Sequence, residues 1–93
     1  MTTSTVTVVL PKLLEPAVGK TRLQVSGGTI VEVLEAAFDA LPGLRHHLQL
    51  DSGQLRPHLL CLVNDQLVDR SEHLSRLLAD GDELLIHQAI SGG

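Results

Sequence analysis

Between Thr29 and Gly43 apolar residues recur at Ile30, Val33, Leu34, Ala37, Phe38 and Leu41. Steps of three and one draw a single stripe down one side of a helix. Thr29 and Glu32 stand in T-x-x-E spacing at its start, the pattern of a capping box, and Pro42-Gly43 stops it. No other stretch carries the period as far. The chain therefore has one long helix, whose stripe must be buried against something other than a second long helix.

That partner is legible in the remaining period. TVTVVL at 5–10 alternates, with Val6, Val8 and Leu10 on one side. KTRLQV at 20–25 alternates again, with Leu23 and Val25 inward. Both read as half-buried strands that pair as an antiparallel hairpin, and PKLLEPAVG between them reads as a long connection. HLLCLVN at 58–64 is apolar on both faces: Leu59, Cys61 and Val63 on one, Leu60 and Leu62 on the other. Such a strand is central, or is covered by the helix on one face and by a partner on the other. Asn64-Asp65 marks a turn into a short strand at QLVD. ELLIHQAI at 83–90 is the last strand, with Leu84 and Ile86 on one face and Leu85, His87 and Ala89 on the other. LRHHLQL at 44–50 reads as a short second helical turn. SEHLSRLLAD reads as another, capped by Ser71. The order implies an α+β fold, a mixed sheet wrapped around one main helix that crosses over between strands.

At 93 residues there is room for one domain, 1–93, and a single core. The chain is 43% hydrophobic, yet Phe38 is its only aromatic residue, so the core is aliphatic. Single-strand nucleic-acid binders stack bases on aromatic side chains, and a net charge of −4 repels phosphate backbones. Nucleic acid is thus excluded as a partner. The acids thicken late, at Asp65, Asp69, Glu72, Asp80, Asp82 and Glu83. They form a solvated face or a surface complementary to a basic protein partner. One cysteine rules out an internal disulfide. No run has the length of a membrane span, and MTTSTVTVVL lacks the basic region of a signal peptide. A cytoplasmic protein is expected.

Several residues invite a chemical reading and do not sustain one. Gly27-Gly28 precedes a helix N-terminus, but the spacing is neither that of a dinucleotide fingerprint nor of a P-loop, so a turn is expected. His46, His47, His58, His73 and His87 do not fall into a metal-ligand spacing with one another or with Cys61. Cys61 has no basic neighbour in sequence to activate it and reads as a buried inert thiol. Asp80 and Asp82 flank Gly81 in a turn. No nucleophile–base constellation emerges, so the chain is expected not to be an enzyme.

The chain ends LADGDELLIHQAISGG. The strand order, Asp80-Gly81-Asp82-Glu83 before the last strand, the apolar last strand itself and Gly92-Gly93 together resemble the ubiquitin-like sulfur carriers of the MoaD/ThiS family, whose fold is the β-grasp. Within that family VVLPKLLEPAVGK and HLLCLVNDQLV are most similar to the CysO-type carriers of cysteine biosynthesis. The molybdopterin synthase small subunits differ: many carry Pro-Pro before the tail, where this chain has HQAISGG. Carriers for sulfur-containing natural products share the same pattern.

The resemblance implies a protein co-substrate. The C-terminal carboxylate of Gly93 would be adenylated by a ubiquitin-activating-type enzyme that uses ATP and Mg, then converted to a thiocarboxylate. The sulfur acceptor would be a PLP-dependent cysteine synthase, and the chain itself would bind no cofactor or metal. Gly92 would give access to a narrow channel, because glycine lets the backbone approach closely. Residues 90–93 would form a flexible tail reaching about 13 Å at ~3.3 Å per residue. Leu85, His87, Ala89, Ile90 and Ser91 would dock the body to its partners. A ubiquitin-like modifier, joined through Gly93 to lysines, would use the same activation step.

Overall fold

The computed structural model describes residues 4–52, 54–69 and 75–88. Five strands form one mixed sheet: β1 (Thr5–Val9), β2 (Arg22–Ser26), β3 (Leu59–Val63), β4 (Gln66–Leu67) and β5 (Glu83–Gln88), in the order β2-β1-β5-β3-β4. The two central strands, β1 and β5, are parallel, and every other neighbour is antiparallel. First and last strands therefore lie side by side at the centre, the arrangement of a ubiquitin-like β-grasp. The long helix is α2 (Ile30–Ala40). It is preceded by α1 (Glu15–Val18) and followed by α3 (Leu44–Leu48).

The stripe read from the sequence is the buried face of α2. Ile30, Val33, Leu34, Ala37 and Phe38 are buried, as is Leu41 at the helix C-cap. They pack on Val6, Val8, Leu59, Cys61, Val63, Leu84 and Ile86, the inward residues of three strands. The helix begins where the capping box places it. Thr29 Oγ1 accepts the Glu32 N–H at 3.3 Å, and the Glu32 carboxylate accepts the Gly28 N–H at 2.7 Å. Gly43 takes φ +92° and turns the chain into α3, a left-handed conformation that glycine adopts without the strain other residues meet. On the solvent side Arg45 lies over the Phe38 ring, 4.6 Å from its centroid, and binds both carboxylate oxygens of Glu35. Those hydrogen bonds hold the Glu35 carboxyl below the usual carboxylate range and raise the Arg45 guanidinium.

Gly27 is required for a different reason. It is buried where the chain leaves β2, and a Cβ there would stand 2.9 Å from the Val33 backbone nitrogen. The obstacle is helix backbone, which cannot rotate aside. Gly27→Ala is therefore expected to destabilise the fold by about 1–3 kcal/mol, the usual cost of overpacking, measured by urea unfolding. Gly28→Ala is the control, because its Cβ would meet only the end of the flexible Glu32 side chain.

Two expectations are corrected. The connection 11–19 is not irregular. It holds a 3₁₀ turn (Lys12–Leu14) and α1, with Pro16 in the first turn and Gly19 at φ +91° closing the end. Proline lacks the N–H that a first turn leaves unpaired anyway, and so starts a helix well. The second correction concerns SEHLSRLLAD. Ser71 lies outside the described residues, and residues 75–80 do not continue a helix. Leu77 forms an isolated bridge with Thr29, Ile30 N–H donates to Arg76 O, and Leu78 N–H donates to Gly28 O. These bonds to the start of α2 use backbone groups that a helical turn would otherwise keep for itself.

Candidate functional site

The sheet has a second face, turned away from α2, and the register defines what it carries. Val9 of β1 stands beside Leu85 of β5, Leu85 is opposite Leu62 of β3, and Leu62 is opposite Leu67 of β4. Four aliphatic side chains thus form a row across four strands. Next to it His87 faces Leu60. Val9, Leu85, Leu62 and Leu60 are half-buried, while Leu67 is 62% exposed. A strand period of two forces this layout: because Leu84 and Ile86 enter the core, Leu85 and His87 must point outward. The long helix α2 packs on the opposite face. Such aliphatic faces mark protein interfaces.

At the end of β5 the face deepens into a groove of about 1020 Å³. One wall is Leu85 and His87. The other is Pro11, Lys12 and Leu13 of the 3₁₀ turn with Pro16 of α1, and His58 stands at its edge. No pattern in the sequence signals this groove directly, because it depends on how the 11–19 connection folds. Pro16 was the available signal.

Of the expected docking residues, Leu85 and His87 are together on this face. Ala89, Ile90, Ser91, Gly92 and Gly93 lie outside the described residues. Among the described residues no acidic side chain lines the groove, and Glu83, at the other end of β5, is paired with Arg22 at 3.3 Å. Asp80 and Asp82 are occupied in the turn before β5. Asp80 Oδ1 accepts the Thr5 N–H at 2.8 Å. Asp82 Oδ2 accepts the Ala79 N–H at 2.8 Å, and its Oδ1 accepts a side-chain N–H of Asn64 at 2.9 Å. Asn64 Oδ1 in turn accepts the Glu83 N–H at 3.0 Å. These carboxylates tie β1, β5 and the β3–β4 turn together. Asn64 and Asp65 both take positive φ there, as a two-residue hairpin turn demands.

The remaining candidates resolve as structure. The Gly28 N–H is taken by Glu32, and the Gly27 N–H donates to Ser4 O at 2.9 Å, so neither is directed at an anion. Cys61 is fully buried in β3. His46 and His47 meet edge to face on α3, far in sequence from His58 and His87. His73 lies outside the described residues. Among the described residues no three His, Cys, Asp or Glu side chains gather as a metal site. No described helix is long and apolar enough to cross a membrane.

With fold and face described, likeness to other proteins adds a third line. The family model described as the ThiS family matches residues 14–93. No curated protein sequence matches the chain significantly. Among solved structures, small archaeal modifier protein 1 (SAMP1) of Methanosarcina acetivorans superposes with a TM-score of 0.81 at 29% identity, covering 100% of both chains. CysO of Mycobacterium tuberculosis gives 0.80 at 32% identity, over 91% of this chain and 99% of that one. The Amycolatopsis orientalis BexX/CysO complex gives 0.82 at 29% identity, over 95% and 99%.

Proposed function

The chain belongs to the ThiS family, the ubiquitin-like sulfur carriers, and we propose that it carries sulfur as a thiocarboxylate on Gly93 for the synthesis of cysteine. The observation that supports this most is continuity. β5 presents an uncovered aliphatic face and leads directly into residues 89–93, which end in Gly92-Gly93. The body docks through Leu85, His87 and their neighbours while the tail reaches a partner's active site.

The chemistry follows from the group at the end. A C-terminal carboxylate has a pKa of about 3.5 and is ionised at neutral pH. One of its oxygens attacks the α-phosphorus of ATP in the activating enzyme, and pyrophosphate leaves. A sulfur nucleophile then attacks the acyl carbon and displaces AMP, leaving a thiocarboxylate. Its sulfur, a soft nucleophile, displaces the leaving group of an activated serine on a PLP enzyme. The Gly93 acyl group is then bonded to the new cysteine, and hydrolysis of that acyl bond by water releases cysteine and restores the Gly93 carboxylate. The chain supplies a docking face and a tether, and the partners supply the catalytic groups and cofactors. The likeness to the two CysO structures supports cysteine as the destination.

A second reading is favoured by the likeness to small archaeal modifier protein 1: the activated Gly93 is transferred to lysine amines. Incubating the loaded protein with activated serine and the PLP enzyme separates the two. Cysteine formation without isopeptide products supports the carrier, and conjugates without cysteine support the modifier. Leu85→Glu tests the docking face. It is expected to keep the native circular dichroism and to lower kcat/KM for activation by about tenfold or more, the scale of an interface anchor. Unchanged kcat/KM would remove β5 from the interface.

A further inference from the structure

The groove beside β5 has a polarity that the rest of the chain does not. The protein carries a net charge of −4, yet among the described residues the groove is lined by Lys12, His58 and His87 and by no acidic side chain. Its nearest acid in sequence, Glu15, precedes Pro16 without lining it. Among the described residues Lys12, His58 and His87 have no ion-pair partner; the two ion pairs present are Arg22–Glu83 and Arg45–Glu35. The Lys12 ammonium group offers three N–H donors, and each imidazole offers at least one. Between them the walls are aliphatic, and Leu13 is 75% exposed.

We infer that this groove receives an acidic, aliphatic segment of the activating partner. Its carboxylates face Lys12, His58 and His87, and its aliphatic side chains fill the space between Leu13, Val9 and Leu85. The inference rests on the carrier function proposed above and adds the chemistry of the partner's contact. Charge complementarity selects the occupant. A basic segment would meet Lys12 unpaired, and a purely aliphatic one would strip water from Lys12 and both histidines without replacing the hydrogen bonds. The position fits the task as well. The groove runs along Leu85 to Gln88, so a segment seated in it holds the partner at the point where residues 89–93 depart. Rim charges of this kind act chiefly on the rate and selectivity of encounter.

Lys12 and Lys20 are the only lysines in the chain, and only Lys12 lines the groove. A zero-length carbodiimide, which joins amines to carboxylates in contact, therefore reads the interface directly. The full chain is mixed with the activating enzyme of its host and ATP, cross-linked, and mapped by mass spectrometry. Lys12 is expected to be joined to Asp or Glu of the enzyme, with Lys20 at background. In parallel, Lys12→Glu is expected to weaken binding about tenfold at low salt and less at high salt. Lys12→Arg keeps the affinity, and Lys20→Glu stays within about twofold of the unaltered chain. Wild-type affinity in Lys12→Glu, or cross-links through Lys20 instead, would overturn the inference while leaving the carrier function standing, since pyrophosphate exchange would still proceed. Lys12 joined to carboxylates of a second copy of this chain would also overturn it, in favour of a homotypic interface. A wild-type chain that neither binds nor is activated would overturn both.

Discussion

Deleting Gly93 is expected to lower ATP–pyrophosphate exchange by the activating enzyme at least about a hundredfold, while the rest of the protein folds and docks as before. The reason is geometric. Without Gly93 the terminal carboxylate belongs to Gly92 and stands about 3.3 Å short of the α-phosphorus, one extended residue. A displacement of only ~1 Å can cost about a hundredfold in rate. The carboxylate itself survives the deletion, so the experiment separates the presence of a carboxylate from its position. Gly93→Ala is the milder companion. It keeps the length and adds a Cβ where the backbone passes closest to the nucleotide, so a smaller loss is expected. Affinity for the enzyme, measured by calorimetry, should change little in either variant, because docking is assigned to the sheet. Exchange at the wild-type rate after the deletion would contradict the role given to Gly93.

The second large effect falls one position from Leu85 and has the opposite character. Ile86 is fully buried, pairs with Cys61 of β3 and belongs to the cluster under α2. Ile86→Ala is expected to cost about 2–5 kcal/mol, the lost transfer energy plus that of the cavity left behind. For a domain of this size each kcal/mol is worth roughly 4–8 °C in Tm, so a fall of about 8–40 °C in thermal unfolding is the expected outcome. With total stabilities of ~5–15 kcal/mol, part of the population unfolds at physiological temperature. The molecules that remain folded should be activated normally, since Leu85 and His87 stay in place. Leu85→Glu reverses both results. One strand thus carries stability on its even residues and docking on its odd ones. If Ile86→Ala lowered kcat/KM per folded molecule as much as Leu85→Glu, the two faces would not be functionally separate.

How far this was readable from the chain depends on how local each signal is. Helix α2 was legible to its caps, because stripe, capping box and Pro42-Gly43 stop all act within about a dozen residues of one another. β1 and β2 were legible from alternation, β3 and β5 from short apolar runs between turns, and Asn64-Asp65 from turn chemistry. The outward direction of Leu85 and His87 followed from the strand period. Less local features were not legible. The Lys12–Leu14 turn and α1 are too short to show a period. Residues 75–80 are shaped by Gly28, Thr29 and Ile30, more than forty positions earlier in the chain. The row Val9–Leu85–Leu62–Leu67 combines residues from four strands and needs the register, which alternation alone does not supply. The acids before β5 read as a solvated face or as a surface for a basic partner. Only the hydrogen bonds of Asp80 and Asp82 show that they fasten the sheet instead.

The central claim is that Gly93 alternates between carboxylate and thiocarboxylate. Intact mass spectrometry of the protein purified from its host under non-reducing conditions, with its partners present, tests it most directly. The expected result is a population heavier by one exchange of oxygen for sulfur, mapped by fragmentation to Gly93 and lost when the activated serine and its PLP enzyme are added. A single mass matching the unmodified sequence, persisting after incubation with the activating enzyme, ATP and a sulfur donor, would contradict it.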